Sequence, residues 1–346
     1  MLMVVSSYGK DQGATRPGYE FDEFSQAYLI FKANGMEVDI ASPKGGKVEA
    51  DQFNTDKEYN KALLADKAVL ELLDNTLPTT EIVSEYYDAI YIVGGKGAMF
   101  DLPFDPSLQD IVLDLYKREG TVISSVCHGP AAFVNIKDGD QYIIEGQEIT
   151  SFCNTEEELF GKKWVPEFPF ALEDKLRARG AKFSQADFML SNVAVSGKFV
   201  TGQNPFSTAG SAEAVVKALG QEPVKRELYK DEASIYLIQD VLDQSKSKEW
   251  AVAELAQHTD NYEVQLIAVW GYYKLLSAGE DKEAIEQGVS LIELSQPHFF
   301  NERLQLQLAK SYTSLNQTEK ARKVLNDLIS KELLVDEAKG MLAGME

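Results

Sequence analysis

Cys127 and His128 are adjacent in a chain of 346 residues that holds only two cysteines and three histidines. The run Ser124-Ser125-Val126-Cys127-His128-Gly129-Pro130-Ala131-Ala132 reads as a strand that stops at the cysteine and resumes as a helix, the layout of a nucleophile elbow. Such a turn pushes the side chain out at the carboxyl end of a sheet, onto the amino end of the next helix, where the dipole favours a thiolate. Gly129 lets the backbone turn tightly, and Pro130 suits a first helical turn, which has no need of its amide hydrogen. His128 is the only histidine before residue 258, and its direct attachment to Cys127 puts a titratable base or cation within reach of the sulfur. The blander alternative is a buried cysteine followed by a surface histidine.

A second glycine-rich strand end, Ile92-Val93-Gly94-Gly95-Lys96-Gly97-Ala98-Met99, is expected beside the first in a doubly wound sheet. Gly94, Gly95 and Gly97, together with Gly129, are therefore the expected backbone for binding an oxyanion or substrate, since a side chain there would block the approach. An ordinary strand-to-helix turn would use the same glycines. The segment lacks the phosphate-loop spacing and its Lys-Ser/Thr ending, so neither a nucleotide nor any other cofactor is expected. Glu23 sits between Phe21 and Phe24 on an amphipathic segment and should lie at its buried edge. Glu156-Glu157-Glu158 follow Asn154 and Thr155, as in an N-capped, acidic first helical turn. No His/Cys cluster has metal-ligand spacing, and no metal is expected.

These groups need a scaffold, and the first two hundred residues alternate β-rich apolar runs with amphipathic segments, the pattern of βα units on a mostly parallel sheet. Strands are expected at 1–6, 38–41, 89–93 and 121–126, with shorter ones at 149–152, 193–195 and 199–201. A helix is expected over 21–34, with Gly35 as its C-terminal stop. From about Pro223, Leu, Ala, Glu, Gln and Lys at helical period replace the β-branched runs. The reading is an α/β domain over 1–222 and an all-helical domain over 223–346, with helices near 230–244, 249–257, 264–277, 282–294, 302–315 and 319–331. Ala309, Tyr312, Leu315 and Ala321, and more loosely Ala268, Leu275 and Ala284, sit where tetratricopeptide repeats place small and aromatic packing residues; a plain helical bundle gives the same pattern.

The formal net charge of -21 repels phosphate backbones and anionic lipid, and nucleic acid is not an expected partner. Apolar runs are strand-sized, so no membrane span is expected. The opening MLMVVSSYG has no basic region and no small-residue cleavage site, and reads as a first strand in a cytoplasmic protein. A homodimer is the default assembly.

Taken together, Gly18-Tyr19-Glu20-Phe21-Asp22-Glu23-Phe24, Ala41-Ser42-Pro43-Lys44-Gly45-Gly46, Gly94-Gly95-Lys96-Gly97 with Asp101-Leu102-Pro103, Val126-Cys127-His128-Gly129-Pro130 and Thr201-Gly202-Gln203-Asn204-Pro205 resemble the DJ/PfpI superfamily. The likeness spans about residues 1–220 and is strongest to the heat-shock branch that includes glyoxalase III enzymes. It implies the class I glutamine amidotransferase-like fold, a flavodoxin-like parallel sheet sandwiched by helices with a nucleophile elbow, here followed by an all-α TPR-like helical domain. It also implies Cys127 as nucleophile, His128 as its partner, Glu23 as the carboxylate touching the sulfur and Gly95 as an oxyanion donor. The third triad member falls in the acidic run, at Glu157 or, one residue away, Glu156.

The implied activity is conversion of a small reactive carbonyl, a 2-oxoaldehyde, to a 2-hydroxy acid without glutathione, or a related deglycase or hydrolase reaction. A different class of function is a stress-response chaperone or interaction protein that binds a protein partner through the helical domain. An exposed groove among Trp250, Trp270, Tyr272, Tyr273, Phe299 and Phe300 would favour that reading, and a packed core would favour a structural appendage. Amide transfer from glutamine fits less well, because no synthetase domain accompanies the elbow. Cys153 could resolve an oxidised Cys127 or simply pack.

Overall fold

The computed structural model describes residues 1–345. The chain divides into two compact units, Met1–Glu227 and Leu228–Glu346. The first is built on a seven-stranded sheet. Its first five strands are β1 (Leu2–Val4), β2 (Asp39–Ser42), β3 (Leu77–Pro78), β4 (Ala89–Ile92) and β5 (Val122–Val126). A closing hairpin adds Val193–Ser196 and Phe199–Gly202. From one edge the order is Val193–Ser196, Phe199–Gly202, β5, β4, β1, β2, β3, and every pairing is parallel except within the hairpin.

Every residue of β1, β4 and β5 is buried, which is why these strands read as continuous apolar or small runs and not as an alternation: a parallel sheet is covered on both faces. One core gathers Ile90, Ile92 and Ile123 from the strands with Leu108, Ile111, Val112 and Phe133 from flanking segments. The helix α1 (Phe21–Ala33) buries Phe21, Phe24, Tyr28 and Phe31 at the expected spacing, and Gly35 follows at φ +74°.

Two expectations need correction. No α-helix follows the cysteine: only a five-residue 3-10 turn, Gly129–Phe133, does, and so short a turn offers little dipole to a thiolate. The strand expected over 149–152 is reduced to Glu148–Ile149, paired with Lys182–Phe183. The amides beyond it leave the ladder, Thr150 N–H for Thr201 Oγ1 at 3.0 Å and Phe152 N–H for the Cys127 carbonyl at 2.9 Å. That diversion carries the chain to the elbow.

The second unit is helical throughout: Lys230–Leu242, Lys248–His258, Val264–Ser277, Lys282–Ser295, Glu302–Ser314 and Thr318–Ser330, then Val335–Ala343, which the sequence pattern did not separate. Ala268, Ala309 and Ala321 are fully buried and Tyr312 nearly so. Of the six aromatics that would have marked a groove, Trp270 is buried and Phe300 is exposed beneath Lys331, while the other four are half-buried, so they share no single environment. Among the described residues no helix is long and apolar enough to cross a membrane.

Val264–Ser277 and Lys282–Ser295 cross where Gly271 faces Gly288. A Cβ on Gly271 would lie 2.9 Å from the Gly288 carbonyl oxygen, and one on Gly288 would lie 2.9 Å from that of Gly271. Mid-helix Gly→Ala ordinarily stabilises by about 1 kcal/mol. Here the obstacle is backbone, which cannot step aside, so Gly271→Ala should instead destabilise by about 1–3 kcal/mol, read as a lower urea midpoint for the helical unit.

Candidate active site

Cys127 directly follows β5 with φ +59°, a left-handed conformation that a non-glycine residue adopts only under constraint. The constraint is visible on both sides of its peptide plane. Its N–H donates to the Gly202 carbonyl at 2.9 Å, and its carbonyl accepts from Phe152 N–H at 2.9 Å. Gly129 has to be glycine, since a Cβ would stand 2.4 Å from the Ile92 carbonyl oxygen.

The thiol is buried, and its neighbours form a line. Cys127 Sγ lies 3.2 Å from His128 Nδ1, and His128 Nε2 lies 2.7 Å from Glu157 Oε1. With Glu157 ionised, Nε2 carries the proton and Nδ1 is left facing the sulfur as an acceptor. The imidazole is stacked on Phe152 at 4.8 Å between centroids and meets Phe168 edge-on at 5.9 Å, which fixes its plane. On the other side, Glu23 is fully buried and hydrogen-bonds the thiol, while its Oε2 accepts Gly94 N–H at 2.8 Å.

Burial pushes the Glu23 carboxyl well above its usual range, and the nearby Glu20 charge adds to this; the hydrogen bonds from Cys127 and Gly94 pull it part of the way back. Burial likewise raises the Cys127 thiol, as does Glu23 when ionised, and the Gly95 amide, donating to the sulfur, opposes them. Glu20 itself, half-buried on the same approach, is pushed up to about 7 by desolvation and by Asp22.

Cys127, His128, Glu23 and Glu157 thus converge. The glycines divide. Gly95, at φ +91°, turns its amide to the sulfur. Gly94 and Gly97 correct the expectation of free oxyanion donors: Gly94 N–H is spent on Glu23 and Gly97 N–H on the Gly18 carbonyl at 2.9 Å. Their lack of a side chain serves close packing instead, since a Cβ on Gly94 would lie 2.7 Å from Glu23 Oε2 and 2.8 Å from Cys127 Cβ.

The helix Asn154–Phe160 explains why Glu157 and not Glu156 faces the imidazole. Its N-cap is Cys153, not Asn154, and Glu156 closes a capping box by accepting Cys153 N–H at 3.0 Å. Glu156 also accepts from Met189 N–H, Gln203 Nε2 and Asn204 Nδ2 at 2.7, 3.0 and 2.8 Å, so the Gln203-Asn204 motif serves this buried carboxylate. Burial pushes the Cys153 thiol up to about 12, as befits a packing and capping residue. The sequence reading missed Phe152, Phe168 and Gly161. A Cβ on Gly161 would strike Glu157 Oε2 at 2.1 Å, and only a glycine there hinted at the need for space. Beyond Glu157 a cavity of about 490 Å³ opens, lined by Val165, Phe168, Phe170 and Leu172 among others. Among the described residues no three His, Cys, Asp or Glu side chains gather to hold a metal ion.

A mostly parallel sheet whose central strand ends in a strained, buried cysteine backed by a histidine defines an α/β protein of the nucleophile-elbow class. The chain belongs to the DJ-1/PfpI family, which it matches over residues 14–218. It is 30% identical to a glutathione-independent glyoxalase of Schizosaccharomyces pombe, over 63% of this chain and 96% of the relative. It is 28% identical to a glutathione-independent glyoxalase of Saccharomyces cerevisiae, over 63% and 97%. Among solved structures it resembles the Rapid Encystment Protein of Francisella tularensis, with a TM-score of 0.59, 33% identity, and coverage of 63% of this chain and 97% of that one. It also resembles glyoxalase III of Candida albicans, with a TM-score of 0.58, 26% identity, and coverage of 63% and 95%. The family match ends before the helical unit begins.

The two adjacent acids should separate cleanly in a stability assay. Glu156→Ala strands four buried donors and is expected to cost on the order of 3–5 kcal/mol in urea unfolding. Glu157→Ala, with one partner at the cavity wall, should cost about 1 kcal/mol or less.

Proposed function

We propose that this chain is a cysteine-dependent enzyme that converts small 2-oxoaldehydes to 2-hydroxy acids without glutathione, with Cys127 as nucleophile and Glu23, His128 and Glu157 as its acid–base partners. The observation that carries the reading is the unbroken contact Glu23–Cys127–His128–Glu157, with the Gly95 amide on the sulfur. The names of the relatives lend support, since glyoxalases of yeasts match 63% of this chain over nearly their own full length.

Glu23 and Cys127 cannot both be ionised in so buried a place, so they hold at most one negative charge between them. A protonated Glu23 donating to the sulfur, with Gly95 N–H beside it, stabilises the thiolate that the short turn after Cys127 cannot. The thiolate adds to the aldehyde carbon of a compound such as methylglyoxal; a C–S bond forms and the carbonyl oxygen takes up a proton, giving a hemithioacetal. A base, Glu23 or His128, then removes the proton from that carbon; the adjacent carbonyl carbon and its oxygen each gain one proton, while the hemithioacetal hydroxyl gives up its own as its C=O forms, so two protons leave and two arrive. The result is a 2-hydroxy thioester. Water attacks it, the C–S bond breaks, and the acid and the free thiol are released, so that one water is consumed overall. Glu157 holds the His128 tautomer throughout.

Methylglyoxal consumption with lactate detection, in the absence of glutathione, tests this directly. Cys127→Ala should abolish turnover, and Glu23→Gln should lower it by about 10²–10⁴-fold. A folded wild type that makes no lactate would refute the reading.

Glu23→Gln should also reveal its electrostatic cost. The folded-state pKa of Glu23 lies above its ordinary value of 4.5, so the folded chain holds this proton more tightly than the unfolded chain. The resulting stability is complete below about pH 4.5 and is lost as pH rises toward the folded value. The isosteric, uncharged Gln escapes that loss. The variant should therefore melt above wild type at pH 7–8, and the gap should close as pH is lowered past 4.5.

A further inference from the structure

We propose that the helical unit holds a binding site for a small organic oxyanion, a carboxylate or a phosphate monoester, in the cavity bordered by three of its successive helices. This inference is independent of any reading of Cys127. The cavity measures about 670 Å³, within the usual range for small-molecule sites. Lys282–Ser295 and the residue after it contribute Glu293 and Gln296, Glu302–Ser314 contributes Gln305 and Tyr312, and Thr318–Ser330 contributes Lys320 and Lys323.

Gln305 is the clearest pointer to a ligand. The residue is only 7% exposed, and its Oε1 accepts from Gln296 Nε2 at 2.8 Å, which leaves its own Nε2 without a partner among the described residues. That amide is not sealed in apolar packing, because Gln305 lines the cavity. A side chain so buried ordinarily has its polar atoms satisfied, and here the open space supplies the place for an acceptor.

The charges lean the same way. Burial works against ionisation of Glu293, but hydrogen bonds from Lys248, Tyr312 and Lys320, at 2.5, 2.5 and 3.2 Å, outweigh it and hold the carboxyl below its usual range. Asp327, the other acid on the wall, is paired with Lys331 at 2.7 Å. Lys323 has no ion pair among the described residues. Lys320 is held in place over the Tyr312 ring at 5.0 Å, with N–H groups to spare beyond the one on Glu293. Both acids are thus spent on lysines, while Lys320, Lys323 and Gln305 still have donors to offer. An acceptor-rich anion matches them, and the half-buried Val324 gives its carbon body a contact. A chain of net charge -21 repels anions over most of its surface, so capture depends on a local surplus of donors such as this.

Calorimetric titration of succinate and of glycerol phosphate into the full chain tests the site, with succinamide and glycerol as their uncharged counterparts. At least one anion should bind about tenfold or more tightly than its counterpart, and whichever pair differs more identifies the ligand's group as carboxylate or phosphate. Lys323→Gln should weaken that anion about tenfold and Lys323→Arg by no more than about threefold, while Gln305→Leu, which removes the amide, should weaken it as well. The bound anion should also raise the melting temperature of the wild type by an amount that grows with its concentration. Equal binding of each anion and its counterpart, or an affinity that Lys323→Gln leaves unchanged, would overturn the proposal. Failure of both small anions to bind would overturn it too, and an acidic peptide bound in their place would make the cavity part of a protein-docking groove instead.

Discussion

Cys127 can occupy a left-handed conformation because the sheet holds it there. β5 is paired on one side as far as Ser125, against Ile92, and on the other to its last residue, Val126, against Gly202, and the next N–H and C=O are fixed by Gly202 and Phe152. A non-glycine residue in this region costs on the order of 1–3 kcal/mol, and such a cost persists only where surrounding structure over-determines it. Much follows from this turn. It sets the thiol against Gly94 and Gly95, it brings Gly129 onto the Ile92 carbonyl, and it leaves the next side chain, His128, in contact with the sulfur.

Around this turn the protein keeps two buried acids of opposite design. Glu156 is saturated, with donors from the backbone of Cys153 and Met189 and from Gln203 and Asn204, and it ties the 154–160 helix to the strand end that carries Gly202. Glu23 is kept short of donors: one oxygen takes Gly94 N–H, and the other has no N–H or O–H partner. A satisfied buried carboxylate is structural, whereas an unsatisfied one lowers its free energy by taking a proton, which it can then lend. The difference is one of hydrogen-bond supply, since both side chains are fully buried.

The aromatic residues act on the chemistry only through position. Phe152 and Phe168 clamp the imidazole between a face and an edge, so that its two nitrogens face the sulfur and Glu157 in the same rotamer. The diversion of 150–152 away from strand pairing is what makes Phe152 available for this. In the helical unit a comparable economy of space appears, where Gly271 and Gly288 let two helices meet backbone to backbone.

The order of strands and helices, the change of character near residue 223 and the elbow itself were all legible in the sequence, because they depend on local periods and on residues that only special turns require. Glu23 was legible from local pattern only as a carboxylate between apolar positions; its pairing with the sulfur, 104 positions further along the chain, was implied by the family resemblance and not by spacing. What the sequence could not determine was which donors reach which acceptors. Gly94, Gly95 and Gly97 are alike as letters, yet one amide goes to Glu23, one to the sulfur and one to Gly18, because segments distant in the chain pack against them. Glu156 and Glu157 are likewise adjacent and identical, and only the helical rotation between them, set by a cap at Cys153, turns one into the interior network and the other toward His128. Local pattern thus fixed the elements and the residue types at the site, and tertiary packing decided the destination of each hydrogen bond, since hydrogen bonds form between neighbours in space whatever their separation along the chain.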